Sequence, residues 1–489
     1  MQVSFTHLMP AQPTHLLLPF TTAEWEIAAA AIATRFGWEA QLLQQEFKAQ
    51  REEIASFLLA DNQAVRRLFL IGLGEQFHAE GFRKAMRLLV YQQGEKLLPH
   101  LTIDCTQSAT CLANIDLLAE AIPAMLLGTY QIGKYKVAPL AEKLLPQLTV
   151  VAPENLLAQV QQAFEAGKHI AEVQLSVMDW VNTPGNHMNA LALAETALAS
   201  GNKHGYRVRI LHKAEIEREG LGGLLAVNQG SELPPTFTIM EYQPTDKQIV
   251  KTVGLVGKGI TFDTGGITLK EGTNMGWMKS DMAGAAAVIG AMEAAARLQL
   301  PVRLIGIVPA TDNKPDGKAM QPGDIVRAYN GMSIEIEDTD AEGRVILADG
   351  VAYLAKNFSP DIMIDMATLT GACIFALGYH AAGLFTSNDE LAAALIKAGQ
   401  HSGERVWRLP LWEDYESQIR SDMADVKNYG GRPAGAITAA KFIEKFTDQH
   451  PAWAHIDIAG TAFGDSPFAK GRSATAFGVR LITEFLKAL

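Results

Sequence analysis

Three carboxylates and an arginine fall within seven residues, 338–344, which read DTDAEGR. The preceding SIEIE alternates apolar and acidic side chains and predicts a strand, so the acids leave a strand end. On an extended chain Asp340 and Glu342 point the same way, about 7 Å apart, where like charges raise each other's pKa unless a cation lies between them. This spacing favours a metal site, but an acidic turn in water explains the heptapeptide equally well when it is taken alone.

A glycine-rich segment, GKGITFDTGG, follows a predicted strand and supplies further candidates. It lacks the glycine at position 252 and the Ser or Thr at position 259 that a phosphate-binding loop would need, so a nucleotide site is excluded here. The remaining groups with chemistry to offer are Lys258 and Asp263, with Lys270 shortly after them. Taken alone, each lysine is more simply explained as a solvated surface group.

Asp281 stands directly before the alanine-rich segment 282–298, whose apolar residues have helical spacing. The simplest interpretation of this aspartate is a helix N-cap. Charge counting offers another interpretation, because four acids would balance two divalent cations, and two-metal hydrolases share bridging carboxylates between ions ~3.5–4 Å apart. The four acids are Asp263, Asp281, Asp340 and Glu342. Oxygen ligands suit Mg²⁺ or Mn²⁺ and also accept Zn²⁺, so they do not select the metal.

Composition excludes several classes of protein. The chain has 489 residues, enough for two or more domains, and a formal net charge of −11, which argues against a nucleic-acid or anionic-membrane surface. The three cysteines, Cys105, Cys111 and Cys373, form no CxxC pair, so neither a disulfide framework nor a thiolate metal site is indicated. No export signal or long apolar run is evident, and we expect a cytoplasmic protein.

The hydrophobic pattern predicts an α/β fold. In the first part, residues 15–19, 67–74 and 148–151 have the pattern of buried strands, with a helix over 82–91. Helical spacing from residue 154 onward predicts a connecting helix. In the second part, predicted strands are separated by helices, so that the acids and glycines collect at one rim of a parallel or mixed sheet. The second-part strands are 252–257, 302–308, 334–337 and 362–366.

Three segments, GKGITFDTGGITLK, MGWMKSDMAGAAAV and DTDAEGRVILADG, resemble in this order and spacing the leucine (cytosol) aminopeptidase family of two-metal exopeptidases. The resemblance continues through MATLTGA, ADVKNYGGRPAGAITAAKFIEKF and WAHIDIAGTAFG. It covers nearly all of residues 175–485, whereas residues 1–150 match only loosely. The fold that we expect is a smaller N-terminal α/β domain joined by a helix to a larger catalytic domain, whose central mixed sheet is flanked by helices. Its boundaries are 1–153 for the N-terminal domain, 154–180 for the helix and 181–489 for the metallo-aminopeptidase domain.

The resemblance also implies roles for individual residues. One metal would be held by Lys258, Asp263, Asp281 and Glu342, and the other by Asp263, Asp340 and Glu342. Lys270 and Arg344 would be catalytic, with a bicarbonate ion at Arg344 as the general base. A lysine that ligates a metal must be neutral, against a usual pKa of about 10.4. The implied ions are Mn²⁺ or Zn²⁺, with Mg²⁺ or Co²⁺ as alternatives.

The function that follows is a metal-dependent aminopeptidase that releases N-terminal residues, preferably bulky and apolar, through a hydroxide bridging two divalent metals. The implied side-chain pocket contains Met278, Thr368, Leu369 and Gly371, although core packing would explain Met278 equally well. Peptide substrates and a homohexamer are implied as partners. Two other functions are weaker: DNA binding conflicts with the acidic charge, and phosphate-ester hydrolysis lacks a basic cluster beyond Lys270 and Arg344.

Some positions depart from the family pattern. Asp338 replaces an asparagine, residues 182–189 differ from the usual proline-rich segment, and Ala476 stands where glycine is usual. None of these changes removes a predicted ligand. The Asp338 carboxylate either faces the site or caps a neighbouring backbone N–H, and the sequence leaves both possibilities open.

Overall fold

The computed structural model describes residues 1–12, 14–59, 65–138, 140–469 and 471–489. The chain divides into two compact units. The first contains Met1–Leu175 and Pro467–Ala469, and the second contains Ser176–Ser466 and Lys470–Leu489. Within the described residues, no helix combines the length and the apolar character needed to cross a membrane.

The first unit is built on a six-stranded sheet in the order β1-β6-β5-β2-β4-β3, parallel except for β3. Its strands are β1 Val3–Thr6, β2 Thr14–Phe20, β3 Ile54–Leu58, β4 Val65–Gly72, β5 His100–Asp104 and β6 Gln147–Val151. Its helices are α1 Thr22–Phe36, α2 Ala40–Glu46, α3 Ala79–Gln93, α4 Ala109–Ala113, α5 Ile115–Ala121 and α6 Met125–Gly128.

Strand β2 shows why the strands of this sheet have continuous apolar sequences. Leu17 packs into one hydrophobic cluster, whereas Leu16 and Leu18 pack into another, because successive side chains point to opposite faces of a sheet. All three side chains are buried. Helix α7, Leu157–Asn182, follows a short 3-10 turn at Glu154–Leu156 and contains the boundary between the two units.

The second unit contains a nine-stranded mixed sheet in the order β16-β15-β18-β14-β9-β11-β8-β7, with β10 paired to β11. Two smaller sheets, β12-β13-β17 and β19-β20, complete the strands of this unit. The strands of the unit are β7 Arg207–Leu211, β8 Thr236–Tyr242, β9 Lys251–Gly257, β10 Gly259–Asp263, β11 Val302–Asn313, β12 Ile325–Arg327, β13 Ser333–Glu335, β14 Ile362–Ala367, β15 Ala382–Phe385, β16 Val406–Arg408, β17 Val426–Lys427, β18 Trp453–Asp457, β19 Phe463–Gly464 and β20 Ser473–Ala474. Its helices are α8 Ala190–His204, α9 Lys213–Glu219, α10 Gly222–Asn228, α11 Ala283–Leu298, α12 Glu342–Phe358, α13 Gly371–Leu377, α14 Asp389–Ser402, α15 Gly435–Glu444 and α16 Val479–Lys487.

The centre of this sheet is parallel: β18, β14, β9 and β11 run the same way, and β10 runs parallel to β11. Helix α11 lies close against the carboxyl end of β9. A Cβ at Gly257 would come within 2.6 Å of the Cα atom of Ala285, so the glycine and the small alanines permit this approach. The mixed α/β fold predicted from the sequence is confirmed.

Candidate metal centre

Two of the predicted metal ligands lie at the carboxyl ends of parallel strands, where open α/β sheets bind ligands. Lys258 follows β9 directly, and Asp263 is the last residue of β10. Asp281 lies between a 3-10 helix, Met275–Ser280, and α11, while Glu342 is the first residue of α12. Four separate elements therefore deliver these groups to one rim of the sheet.

Three carboxylates form the centre of the site. Asp263, Asp340 and Glu342 each offer one oxygen, and these oxygens all lie within 4.8 Å of one another. Asp263 and Glu342 are only 2% and 1% exposed. Buried carboxylates this close together need either positive charge between them or a bound proton.

Two lysines supply positive charge in this structure. The Nζ atom of Lys258 lies 2.7 Å from Asp281 Oδ2 and 2.9 Å from Glu342 Oε1, and it donates to the carbonyl of Thr368 at 3.0 Å. The Nζ atom of Lys270 lies 2.8 Å from Asp263 Oδ2 and also pairs with Asp340. The cluster thus pairs two ammonium groups with four acids, which leaves a net charge of −2 when all are ionised.

Glycine at position 343 makes room for one of these lysines. A Cβ added to Gly343 would lie 2.3 Å from the Cε atom of Lys258, and a second contact would form with Nζ at 2.6 Å. Any larger side chain would therefore displace Lys258 from its two acids. The glycine of the heptapeptide is therefore explained by packing around Lys258.

Burial changes the proton affinity of these acids. Burial, followed by the charge of Asp263, raises the pKa of Glu342 to about 8, and burial raises the pKa of Asp281 to about 6. The pKa of Asp340 is also raised, first by burial and then by Asp263. Burial works to lower the pKa of Lys258, but Asp281 and Glu342 outweigh it, so the net shift is upward. Glu342 therefore keeps its proton at neutral pH unless a cation compensates.

The oxygens themselves fit a metal. Both carboxylate oxygens of Glu342 and Oδ2 of Asp281 are buried without a well-directed hydrogen bond from any described residue. Lys258 is within ion-pair distance of two of these oxygens, but it does not satisfy them directionally. Oxygen atoms left in this condition are costly unless an ion or a donor reaches them, and hard divalent cations take such ligands. The donor set is consistent with divalent metal binding.

Arg344 lies in the first turn of α12 and is 4% exposed. Its Nη1 atom donates to the carbonyl of Asn428 at 2.8 Å. Its Nε atom is buried and has no hydrogen-bond partner among the residues that the structure describes. Burial lowers its pKa to about 10, which still leaves it protonated at neutral pH. A charged donor is thus available for an anion beside the acids.

Residues 176–483 match the profile of the cytosol aminopeptidase family, catalytic domain. This chain belongs to the cytosol aminopeptidase family. Probable cytosol aminopeptidases of Chloroherpeton thalassium and Chlorobium phaeobacteroides are 45% and 44% identical to it, and each alignment covers 96% of both chains.

Two solved structures resemble this aminopeptidase along its length. A tomato leucine aminopeptidase mutant superposes with a TM-score of 0.87 at 27% identity, covering 100% of this chain and 97% of the other. The bottromycin maturation enzyme BotP in complex with Mn gives a TM-score of 0.83 at 32% identity, covering 97% and 99%. The protein is therefore a metal-dependent aminopeptidase that acts on peptides, which confirms the family predicted from the sequence.

The pocket residues predicted for the aminopeptidase are only partly brought together. The Thr368 hydroxyl donates to Asp281 Oδ1 at 2.7 Å, and the Met278 carbonyl accepts from the Asp281 amide at 3.3 Å. Leu369 is half-buried and packs against the hydrophobic core, whereas Gly371 is exposed at the start of α13. Met278 and Thr368 are thus joined to a predicted ligand by hydrogen bonds, and the roles of all four remain a prediction.

Two local predictions were wrong. Asp281 does not cap α11, whose N-cap is Met282; its carboxylate instead contacts Lys258 and Thr368. Asp340 and Glu342 do not lie on an extended chain, since Glu342 already begins a helix. The reason is Asp338, whose Oδ1 accepts from the Asp340 amide at 2.9 Å and turns the chain. The structure therefore places Asp338 as a backbone cap.

The residues that hold the site together had no predicted role. Asn313 donates to Asp263 Oδ1 at 2.9 Å and to the Thr339 carbonyl at 3.0 Å, linking two ligand-bearing segments. Asp457, at the end of β18, accepts from the Thr370 hydroxyl at 2.7 Å and from the Leu369 amide at 3.1 Å. The segments that contain Asn428 and Asp457 belong to the family resemblance, but only tertiary contacts reveal what their side chains do.

Proposed function

We propose that this aminopeptidase removes bulky apolar residues from peptide N-termini with two divalent metal ions held by the buried acids. One ion would be held by Lys258, Asp263, Asp281 and Glu342, and the other by Asp263, Asp340 and Glu342. The observation that carries the proposal is the set of three carboxylate oxygens within 4.8 Å, with unsatisfied oxygens on Glu342. When bound, such a pair of ions supplies a hydroxide nucleophile near neutral pH and polarises the scissile carbonyl. Mn²⁺ and Zn²⁺ are the candidates.

The two lysines would then have different tasks. Lys258 is almost completely buried between two acids. Its nitrogen can become a ligand only after its proton is lost, because an ammonium group has no lone pair to donate. Lys270 is 24% exposed on its side chain and reaches the acids from the open side. With Asp263 and Asp340 bound to metal, its ammonium group would stabilise the negative charge that develops on the carbonyl oxygen during attack.

Arg344 would hold the general base instead of acting as one. Its guanidinium remains protonated at neutral pH, because burial lowers the pKa only to about 10. The buried, unpartnered Nε atom supports an anion at this place, and a bicarbonate ion is of suitable size and charge. The anion would accept the proton that the attacking water gives up.

The specificity and organisation of the enzyme form the remaining part of the proposal. Met278, Thr368, Leu369 and Gly371 would line the pocket for the N-terminal side chain, and the apolar side chains of Met278 and Leu369 favour apolar substrates. Residues 181–489 would be the catalytic domain, 154–180 the connecting helix and 1–153 the N-terminal domain. We further propose that the enzyme is cytoplasmic and forms a homohexamer. Light scattering at several protein concentrations would test the hexamer.

One experiment tests substrate and metal together. The purified enzyme is stripped with a chelator, and Mn²⁺, Zn²⁺, Mg²⁺ or Co²⁺ is returned before hydrolysis of a panel of aminoacyl p-nitroanilides is measured. We expect no activity in the stripped enzyme, recovery with Mn²⁺ or Zn²⁺, and faster release of Leu and Met than of Gly or Asp. Full activity without metal, or a preference for small or acidic residues, would contradict the proposal.

A further inference from the structure

We infer that Asn428 is a positioning residue that sets the metal affinity of this enzyme by fixing the turn that carries Asp340 and Glu342. The inference rests on the proposed assignment of these two acids as metal ligands. Among the described residues, the hydrogen bonds of the Asn428 side chain go to backbone groups, so Asn428 is not itself proposed as a metal ligand. Its action is exerted through the backbone.

The Asn428 side chain makes four hydrogen bonds to the acidic turn. Its Oδ1 atom accepts from the amides of Glu337 and Asp338 at 2.8 and 3.2 Å. Its Nδ2 atom donates to the carbonyls of Asp338 and Ala341 at 2.7 and 3.2 Å. The two ends of the turn, before Asp340 and after it, are therefore held by one amide group.

Strand pairing brings Asn428 to this position. Strand β17 runs parallel to β13. The backbone N–H of Asn428 continues the hydrogen bonding between these strands by donating to the Glu335 carbonyl at 2.9 Å. The residue is 0% exposed. Because the residue is fully buried, loss of its side chain would leave backbone donors of the turn unsatisfied, and the turn would shift to recover partners.

The same residue also contacts the predicted anion-binding arginine. The backbone carbonyl of Asn428 accepts from Arg344 Nη1 at 2.8 Å. The Nε atom of the same guanidinium has no hydrogen-bond partner among the described residues. One buried residue thus contacts both the turn with the acids and the arginine beside them. This geometry suits a residue that keeps ligands and general-base anion in fixed relation.

An amide is required here because the position needs an acceptor and a donor on one short side chain. Aspartate could still accept from Glu337 and Asp338, but it would present oxygen to the carbonyls of Asp338 and Ala341 and add a buried charge. Alanine would lose all four bonds without adding charge. We expect Asn428→Asp to be the more harmful of the two replacements.

The test measures Mn²⁺ affinity of the full chain by calorimetric titration of chelator-stripped protein. Loss of a residue that orients metal ligands typically costs about 10- to 100-fold in affinity, and we expect this loss in Asn428→Ala with a lower kcat at saturating Mn²⁺. The matched control is Asn228→Ala, because Asn228 is also buried and donates through Nδ2 to the Leu233 carbonyl and the Thr311 hydroxyl. It should lower Tm and leave Mn²⁺ affinity unchanged.

A third variant separates this inference from the proposed function. Asp340→Asn should weaken Mn²⁺ binding if Asp340 is a ligand, and unchanged affinity there would overturn the ligand assignment itself. Weak binding in Asp340→Asn together with wild-type affinity in both Asn428 variants would overturn only the positioning role. If Asn428→Ala does not fold, Asn428→Ser, which keeps a short hydroxyl, provides the same comparison.

Discussion

The Nζ atom of Lys258 lies 2.9 Å from Glu342 Oε1, although the two side chains are only 4% and 1% exposed. A buried lysine held between Glu342 and Asp281 neutralises acids that would otherwise repel each other. The same lysine is a proposed metal ligand, and it must lose its proton to take that role. We therefore expect metal binding to release protons and to strengthen as the pH rises.

The roles of the two lysines should separate on mutation. Lys258→Ala is expected to lose metal and to destabilise the metal-free protein by roughly 3–5 kcal/mol, because Asp281 and Glu342 are left without their cation. Lys270→Ala should retain its metal and lose kcat by about 10²–10³-fold, the usual cost of one oxyanion donor. Elemental analysis after gel filtration, paired with steady-state kinetics, distinguishes them. Equal loss of metal in both variants would show that the division of roles is wrong.

Asp338 offers a test of the capping geometry. Asparagine can accept from the Asp340 amide as aspartate does, so Asp338→Asn should change kcat/KM by less than about threefold and leave the ranking of substrates intact. Asp338→Ala removes the acceptor and should weaken metal binding. A large shift of the pH profile in Asp338→Asn would instead mean that the carboxylate acts on the site directly.

Helix α12 carries a second buried acid, Asp349, whose two oxygens accept from the amides of Leu224 and Tyr329 at 2.8 Å. Burial raises its pKa from an ordinary 3.8 to about 7. Between pH 3.8 and about 7 the folded state therefore keeps a proton that the unfolded state has lost. The stability that this group contributes is fully present below pH 3.8 and is lost as the pH rises through about 7. In urea titrations from pH 4 to 8, Asp349→Asn should flatten the fall in unfolding free energy. A slope equal to that of the wild type would contradict this assignment.

Ala476 has φ 61°, in the left-handed region that favours glycine. This conformation costs a residue with a Cβ about 1–2 kcal/mol, more than the ~0.4–1 kcal/mol that glycine adds to the entropy of the unfolded chain. Ala476→Gly should therefore raise stability by up to about 1 kcal/mol, measurable as a higher Tm. The control is Ala294→Gly. Because Ala294 lies within α11 and glycine has a lower helix propensity than alanine, this variant should lower Tm.

The sequence predicted the fold class and the family because buried parallel strands read as apolar runs and because the acidic and glycine-rich motifs keep their order. The prediction of an extended chain at residues 338–342 was wrong, because the Asp338 side chain accepts a hydrogen bond from the Asp340 amide and turns the chain. The contacts of Asn428 and Asp457 were out of reach for a different reason. Their partners lie 84–91 residues away in the chain, so only strand pairing and packing bring them together.

If Glu342 serves both metal ions, Glu342→Gln should affect the two sites together. Mn²⁺ bound per chain is measured by equilibrium dialysis with elemental analysis, and hydrolysis of Leu-p-nitroanilide is measured in the same samples. The wild type should bind two ions, with activity appearing as they fill the site. In Glu342→Gln both ions should bind more weakly, and activity should fall by several orders of magnitude while the fold, monitored by circular dichroism, is retained. Two ions bound with wild-type affinity and near-normal turnover in Glu342→Gln would show that Glu342 does not bridge the metal ions.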